Sequence, residues 1–169
     1  RLGYKKENII GSPFLELFDD EETKNQAIDF FRNNIGKASA EISPSPFGRW
    51  LNGTLIEVEE GSLTMEFIVR KDMCNPGGIM HGGVAIGMMD DIIGMTTFLM
   101  QNQAFYSTVN LNTDFLYSAK PNEKLIVKSK IVRMGKKIAH AEGEICNEAG
   151  QIIAKCTTNL VATSNVVKS

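Results

Sequence analysis

Residues 77–98 read GGIMHGGVAIGMMDDIIGMTTF, and the choice of fold turns on this stretch. Val84, Ile86, Met88, Met89, Ile92, Ile93, Met95 and Phe98, wound as a helix over residues 83–99 at about 100° per residue, point in nearly every direction. A helix that is apolar all round is a buried one. One narrow strip departs from this pattern. Gly83, Gly87, Asp90 and Gly94 fall at offsets 0, 4, 7 and 11, within a fan of roughly 60°. Asp90 sits on the strip, while the adjacent Asp91 is rotated off it and is expected to support the site or face solvent. Glycine inside a helix costs ~1 kcal/mol relative to alanine, so Gly87 and Gly94 imply that another backbone or a ligand comes close.

The helix is entered through His81, Gly82 and Gly83, where backbone N–H groups stand without side-chain cover at the positive end of the helix dipole. Such groups can stabilise a carbonyl oxygen that is becoming negative. Gly82 and Asp90 are eight residues apart, or ~12 Å along the axis at 1.5 Å per residue. That separation is too large for both to act on one bond, where contacts of ~3 Å are needed. Two copies with these helices antiparallel would bring Asp90 of one beside Gly82 of the other. The spacing therefore predicts a homodimer with two shared sites.

Outward from the helix the chain reads as strands. Upstream, GTLIEVEE (53–60) and LTMEFIVR (63–70) form a hairpin about Gly61 and Ser62, with Leu63, Met65, Phe67 and Val69 alternating with mostly polar neighbours. Downstream come FYSTVNLNTDFLY (105–117), KLIVKSKIVRM (124–134), KIAHAEGEICN (137–147) and QIIAKCTTNLVAT (151–163), separated by turn-forming residues. The order is one helix, two strands, one long apolar helix and four strands. A single helix cannot cover both faces of a sheet, which excludes alternating helices and parallel strands. The expected class is α+β, a curved antiparallel sheet wrapped around one central helix. Ahead of it, DDEETKNQAIDFFRNNIG (19–36) places Ala27, Ile28, Phe31 and Ile35 at three-to-four spacing, an amphipathic helix over about 20–35. SPSPFGRW (43–50), with two prolines in four residues, reads as a loop. This divides the chain into an N-terminal helical extension, 1–48, and a main domain, 49–169.

Composition narrows the function. Lys and Arg number 18 against 20 Asp and Glu, a formal charge of −2, so no basic field draws nucleic acid. Asp90 and Asp91 interrupt the longest apolar run short of the ~20 residues that span a bilayer. RLGYKKENII at the start has no apolar signal region, and the expectation is a cytoplasmic protein without a membrane partner. Cys74, Cys146 and Cys156 form no CxxC pair, and His81 and His140 are the only histidines. A disulfide framework and a zinc site are accordingly not expected, nor is any other metal or cofactor.

The pattern Asn75-Pro76-x4-His81-Gly82-Gly83-x6-Asp90, followed by STVNLNTDFLYSAKPNEKL (107–125) and a strand pair about Gly135, resembles the hotdog-fold acyl-CoA thioesterases, in their phenylacetate-pathway (PaaI-like) branch. The resemblance covers about residues 50–163. It implies hydrolysis of an acyl-CoA thioester to free acid and CoA, in a dimer or a dimer of dimers. The Gly82 amide, helped by Asn75, would polarise the thioester carbonyl beside Gly83. Asp90 of the partner subunit would be general base or nucleophile, Thr108 would orient the water or the carboxylate, and His81 would shape the turn. Arg133, Lys136 and Lys137 are the candidates for the nucleotide end of CoA. Met88, Met89, Phe98, Phe105 and the N-terminal helix are candidates to line an acyl pocket. The alternative is a hotdog protein that binds or senses acyl-CoA without cleaving it. Hotdog dehydratases lack this His-Gly-Gly and acid spacing.

Overall fold

The structure, a computed structural model, describes residues 23–100 and 105–163. Its elements run α1 (Thr23–Asn33), α2 (Ser39–Ile42), α3 (Pro46–Leu51), β1 (Thr54–Glu59), β2 (Ser62–Ile68), α4 (Gly82–Leu99), β3 (Phe105–Phe115), β4 (Lys124–Met134), β5 (Ile138–Asn147) and β6 (Ile152–Thr163). The six strands form one antiparallel sheet in the order β1-β2-β4-β5-β6-β3. The expected sheet around a central helix is what forms, with α4 carrying the chain from β2 to β3 at the far edge.

Period-two burial places Leu63, Met65 and Phe67 of β2 and Leu125 and Val127 of β4 on the inner face. At the centre that face is built of small residues. A Cβ added at Gly143 of β5 would lie 3.3 Å from both Met89 Cβ and Ile93 Cδ1 of α4, so the helix lies close on the sheet there. Met88, Met89, Ile92 and Ile93 are fully buried in that contact, each contributing roughly 1.5–3 kcal/mol. Single extra residues at Ile56, Val109 and Val132 break the ladder register. All three side chains are exposed, and bulges of this kind bend a sheet, here around α4.

Three details differ from expectation. First, α4 is not buried all round: Gly83, Asp90 and Gly94 are exposed in the single chain, because the sheet covers only one side of the helix. By length and composition α4 is also apolar enough to cross a membrane, but here its Met and Ile face packs on the sheet. Second, residues 46–50 of the expected loop, with Leu51, form α3. Pro46 occupies the first turn and the Ser45 hydroxyl accepts from the Gly48 N–H at 3.1 Å, an N-cap followed by proline. Third, α1 ends at Asn33, leaving Ile35 exposed in the turn beyond it. Residues 20–22 of the expected helix lie outside the described residues. Ala27, Ile28 and Phe31 of α1 join the common core, and the Gly36 N–H donates to the Leu55 carbonyl at 2.8 Å.

The helix glycines of the strip have distinct surroundings. A Cβ at Gly87 would stand 2.5 Å from the Phe47 ring, whereas one at Gly94 meets nothing within 4 Å. Gly94→Ala is therefore expected to stabilise the fold by up to ~1 kcal/mol. Gly87→Ala should gain less or lose stability, because its methyl displaces Phe47 from α4 and from the stacked Trp50. Urea midpoints of the two variants, compared at equal m-value, check the order.

Candidate active site

The entry to α4 is fixed by a chain of local bonds. Asn75 Oδ1 accepts from the Gly77 N–H at 2.9 Å, and the Asn75 carbonyl accepts from the Gly78 N–H. Gly78 adopts φ +74, a conformation suited to glycine. The His81 N–H then donates to Met73, and its Nδ1 caps the helix by accepting from the Gly83 N–H at 2.9 Å. An imidazole accepting at Nδ1 carries its proton on Nε2. With the Gly83 N–H taken up by the cap, the Gly82 N–H is the first of α4 without an acceptor among the described residues. The Phe115 ring lies 3.2 Å from where a Gly82 Cβ would be.

The bulge at Val109 places the next group. Thr108 pairs with Leu160, and Leu111 with Thr158, so the inward-facing positions of β3 change from even to odd numbers across the extra residue. Thr108 near one end and Phe115 at the other consequently both face α4. Thr108 Oγ1 donates to Asp90 Oδ1 at 2.7 Å, which fixes one carboxylate oxygen and leaves the other open. Asp91 lies deeper. Burial, and secondly the charge of Asp90, push its carboxyl up to about 6 from the usual 3.8.

Both carboxylates and Thr108 line a cavity of about 570 Å³, within the range of small-ligand sites. Its apolar wall includes Phe30 and Phe31 of α1, Leu55, Phe98 and Leu160, and Gly94 opens into it. Ser43, Pro44 and Ser45 close it on the side of Asp91. Of the residues expected to line a pocket, Phe98, Phe105 and the N-terminal helix do so, while Met88 and Met89 are fully buried against the sheet. Asp91, expected to support the site or face solvent, stands on the cavity wall, because the segment before β1 folds over that side of α4. The Ser43–Ser45 contribution had a sequence signal only in its Ser-Pro caps.

One chain does not bring together all the expected residues. Asn75, His81, Gly82 and Gly83 gather at the start of α4, whereas Asp90 and Thr108 meet two turns further on. Arg133 at the end of β4 and Lys136 and Lys137 in the following turn are exposed, at a hairpin tied to the cavity by Tyr106, whose hydroxyl donates to the Gly135 carbonyl at 2.9 Å. His140 bonds Asn159 across the sheet at 3.0 Å, a structural place. Among the described residues, no group of three or more His, Cys, Asp or Glu is arranged to hold a metal ion.

Comparison with known proteins adds a family. A model of the thioesterase superfamily matches residues 77–154, the span from the entry loop of α4 into β6. A protein of Thermoplasma acidophilum described as a putative esterase is 29% identical over 140 residues, 82% of this chain and 93% of its own length. Human acyl-coenzyme A thioesterase 13 is 26% identical over 60% of this chain and 74% of its own. The solved structure of a Ralstonia eutropha protein, described as a putative thioesterase related to phenylacetic acid degradation, superposes with a TM-score of 0.63 at 27% identity, covering 70% of this chain and 93% of that one. This match, the sheet wrapped on α4 and the Asn-Pro to His-Gly-Gly to Asp signature together support a place for the chain among the hotdog-fold thioesterases, in their PaaI-like branch.

Proposed function

We propose that the protein hydrolyses an acyl-CoA thioester to the free acid and CoA, as a cytoplasmic homodimer or dimer of dimers. The observation that carries this reading is the Thr108-anchored carboxylate of Asp90 at the wall of a largely apolar cavity. The acyl chain lies toward Phe30, Phe31 and Phe98. The free oxygen of Asp90 takes a proton from water, and the water oxygen attacks the thioester carbonyl carbon. The C–S bond then breaks, and the CoA thiolate leaves and takes up a proton. As the carbonyl oxygen becomes negative, it is met by the N–H of Gly82 of the partner subunit. Asn75, whose Oδ1 is held by Gly77, has Nδ2 to donate. His81 keeps the helix entry in shape, and Gly83 keeps it free of side chain.

Two free faces support the second copy. The strip of Gly83, Asp90 and Gly94 is exposed, and β3 is an edge strand whose bulged Val109 is 65% exposed. An unpaired edge beside an exposed helix face is a natural seam for a self-complementary contact. The cations Arg133, Lys136 and Lys137, none with an acidic partner among the described residues, suit the phosphates of CoA.

Asp90→Asn is expected to lower kcat by about 10²–10⁴-fold with little change in KM, read as CoA release from a panel of acyl-CoAs. Wild-type turnover in that variant ends the role of Asp90. Acyl-CoA binding without any release by the native protein favours a carrier or sensor. The shared site has its own test in mixing. Gly82→Pro removes the N–H at a position where a helix tolerates proline, and it should be inactive alone, like Asp90→Asn. Reassorted together, the two should recover about a quarter of native activity, since half of the dimers are mixed and each mixed dimer has one intact site of two. A mixture as inactive as its parts places both groups in one subunit.

A further inference from the structure

Asp91 is the carboxylate of the cavity wall that the chemistry above leaves idle. It faces the segment before β1: a Cβ built on Gly48 would lie 3.1 Å from Asp91 Oδ2 and 2.6 Å from Ser43 Oγ. Only glycine lets the α3 backbone come so near. The neighbouring hydroxyl oxygens accept backbone N–H groups, Ser43 Oγ that of Ser45 at 3.2 Å and Ser45 Oγ that of Gly48 at 3.1 Å, and neither hydroxyl is bonded to Asp91. No hydrogen bond or ion pair reaches Asp91 from the described residues, and its surroundings are burial and the charge of Asp90 alone.

A partly buried carboxylate without a protein donor takes its hydrogen bonds from water in the cavity or from a ligand that displaces that water. The ligand's position follows from the chain. Asp91 directly succeeds Asp90, both carboxylates line the one cavity, and the charge of Asp90 acts on Asp91, so a donor that reaches Asp91 shares that part of the cavity with the carbon under attack. The rest of the wall is largely apolar, with Phe30, Phe31 and Phe98. A neutral O–H fits this place. A second carboxylate on the acyl chain would meet two acids of its own sign, with no cation among the described residues of the cavity wall.

We propose that Asp91 is a specificity residue that accepts a hydrogen bond from a hydroxyl near the thioester carbonyl of the acyl group, and that it turns away dicarboxylic acyl groups. This rests on the acyl-CoA reading above. A site built to bond a hydroxyl discriminates against the analogue that lacks it far more than an apolar wall discriminates a methylene. The tail past the hydroxyl is a plain hydrocarbon, matched to the aromatic end of the cavity.

The test uses octanoyl-CoA, each epimer of 3-hydroxyoctanoyl-CoA and suberoyl-CoA. CoA release gives kcat/KM for the native protein, Asp91→Leu and Asp91→Asn. Calorimetry on Asp90→Asn, with and without Asp91→Leu, gives affinity apart from turnover. The native protein should favour one hydroxy epimer over octanoyl-CoA by about tenfold or more, with suberoyl-CoA poorest. Asp91→Leu should erase or invert the hydroxy preference. Asp91→Asn, which keeps an acceptor oxygen and loses the charge, should retain part of it and admit suberoyl-CoA. A native ratio near one, or a ratio unchanged in Asp91→Leu, overturns the proposal while leaving hydrolysis in place. No CoA release, with an affinity ratio that still depends on Asp91, overturns hydrolysis and upholds the selectivity.

Discussion

The contact of Met89 and Ile93 with Gly143 sets the distance between α4 and the sheet, and the rest of the molecule is arranged around it. With Ala139, Ala141 and Ala154 buried beside Gly143, the middle of the sheet offers little side-chain bulk, and a helix of Met and Ile can settle deeply there. A helix seated so has a near side and a far side. The near side takes the large apolar residues. Turned away from that contact stand Gly83, Gly87 and Gly94, which can be approached by Phe47, by a ligand or by another chain, and at their border Asp90 meets Thr108 of β3. The core contact and the candidate site are thus neighbouring faces of one helix, and the packing of the first fixes the position of the second.

Legibility in the sequence follows the same division. The strands were legible because alternation at period two is a direct image of one buried face, and residues 124–134 and 151–163 end where their turn residues do. The helix and its small strip were legible because periodicity gives direction. Direction does not say what stands opposite. Asp91 was given only a supporting or solvent-facing place because a helical wheel contains no α3, and α3 itself was hidden under two prolines that usually mark a loop. The Thr108 bond to Asp90 depends on the Val109 bulge, a slip of one residue that TVN does not announce. The expectation for Thr108 came from family resemblance, and the backbone shows how its hydroxyl comes to meet Asp90.

Asp91 also shows what the site costs the fold. Its carboxyl titrates near 6 in the folded chain against 3.8 ordinarily, so between those values the folded state holds a proton that the unfolded state has lost. For a carboxylate raised in this way, stability is greatest at the acid end of the window, falls as pH rises through it, and levels off above about 6. At ~1.4 kcal/mol per pH unit the loss is at most ~3 kcal/mol, reduced by the water that reaches the cavity mouth. An asparagine would avoid this loss at neutral pH and still fit the space. A charged acceptor in that place is a feature with a stability cost, and costs of this kind concentrate where a ligand is handled.

The two halves of the cavity come from different parts of the chain. Asp90, Thr108 and the Gly82 turn lie within residues 77–154 matched by the superfamily, whereas Phe30, Phe31, Ser43 and Ser45, which line the cavity, lie upstream of it. On the proposed reading the reacting group, which must be held to within a fraction of an ångström, is carried by a long helix and a strand of the main sheet. The groups that would meet the acyl chain are carried by α1 and by the turn between α2 and α3, a segment joined to the body by the Gly36 and Lys37 bonds to Leu55, the Ala38–Thr54 bridge, the Ser39 N–H to Gly53 contact and the Arg70 bonds to the Trp50 and Leu51 carbonyls. Residues so placed can change in size and polarity without moving α4 on the sheet. Selectivity can therefore diverge in this segment while the position of Asp90 stays fixed by the contact of α4 with β5.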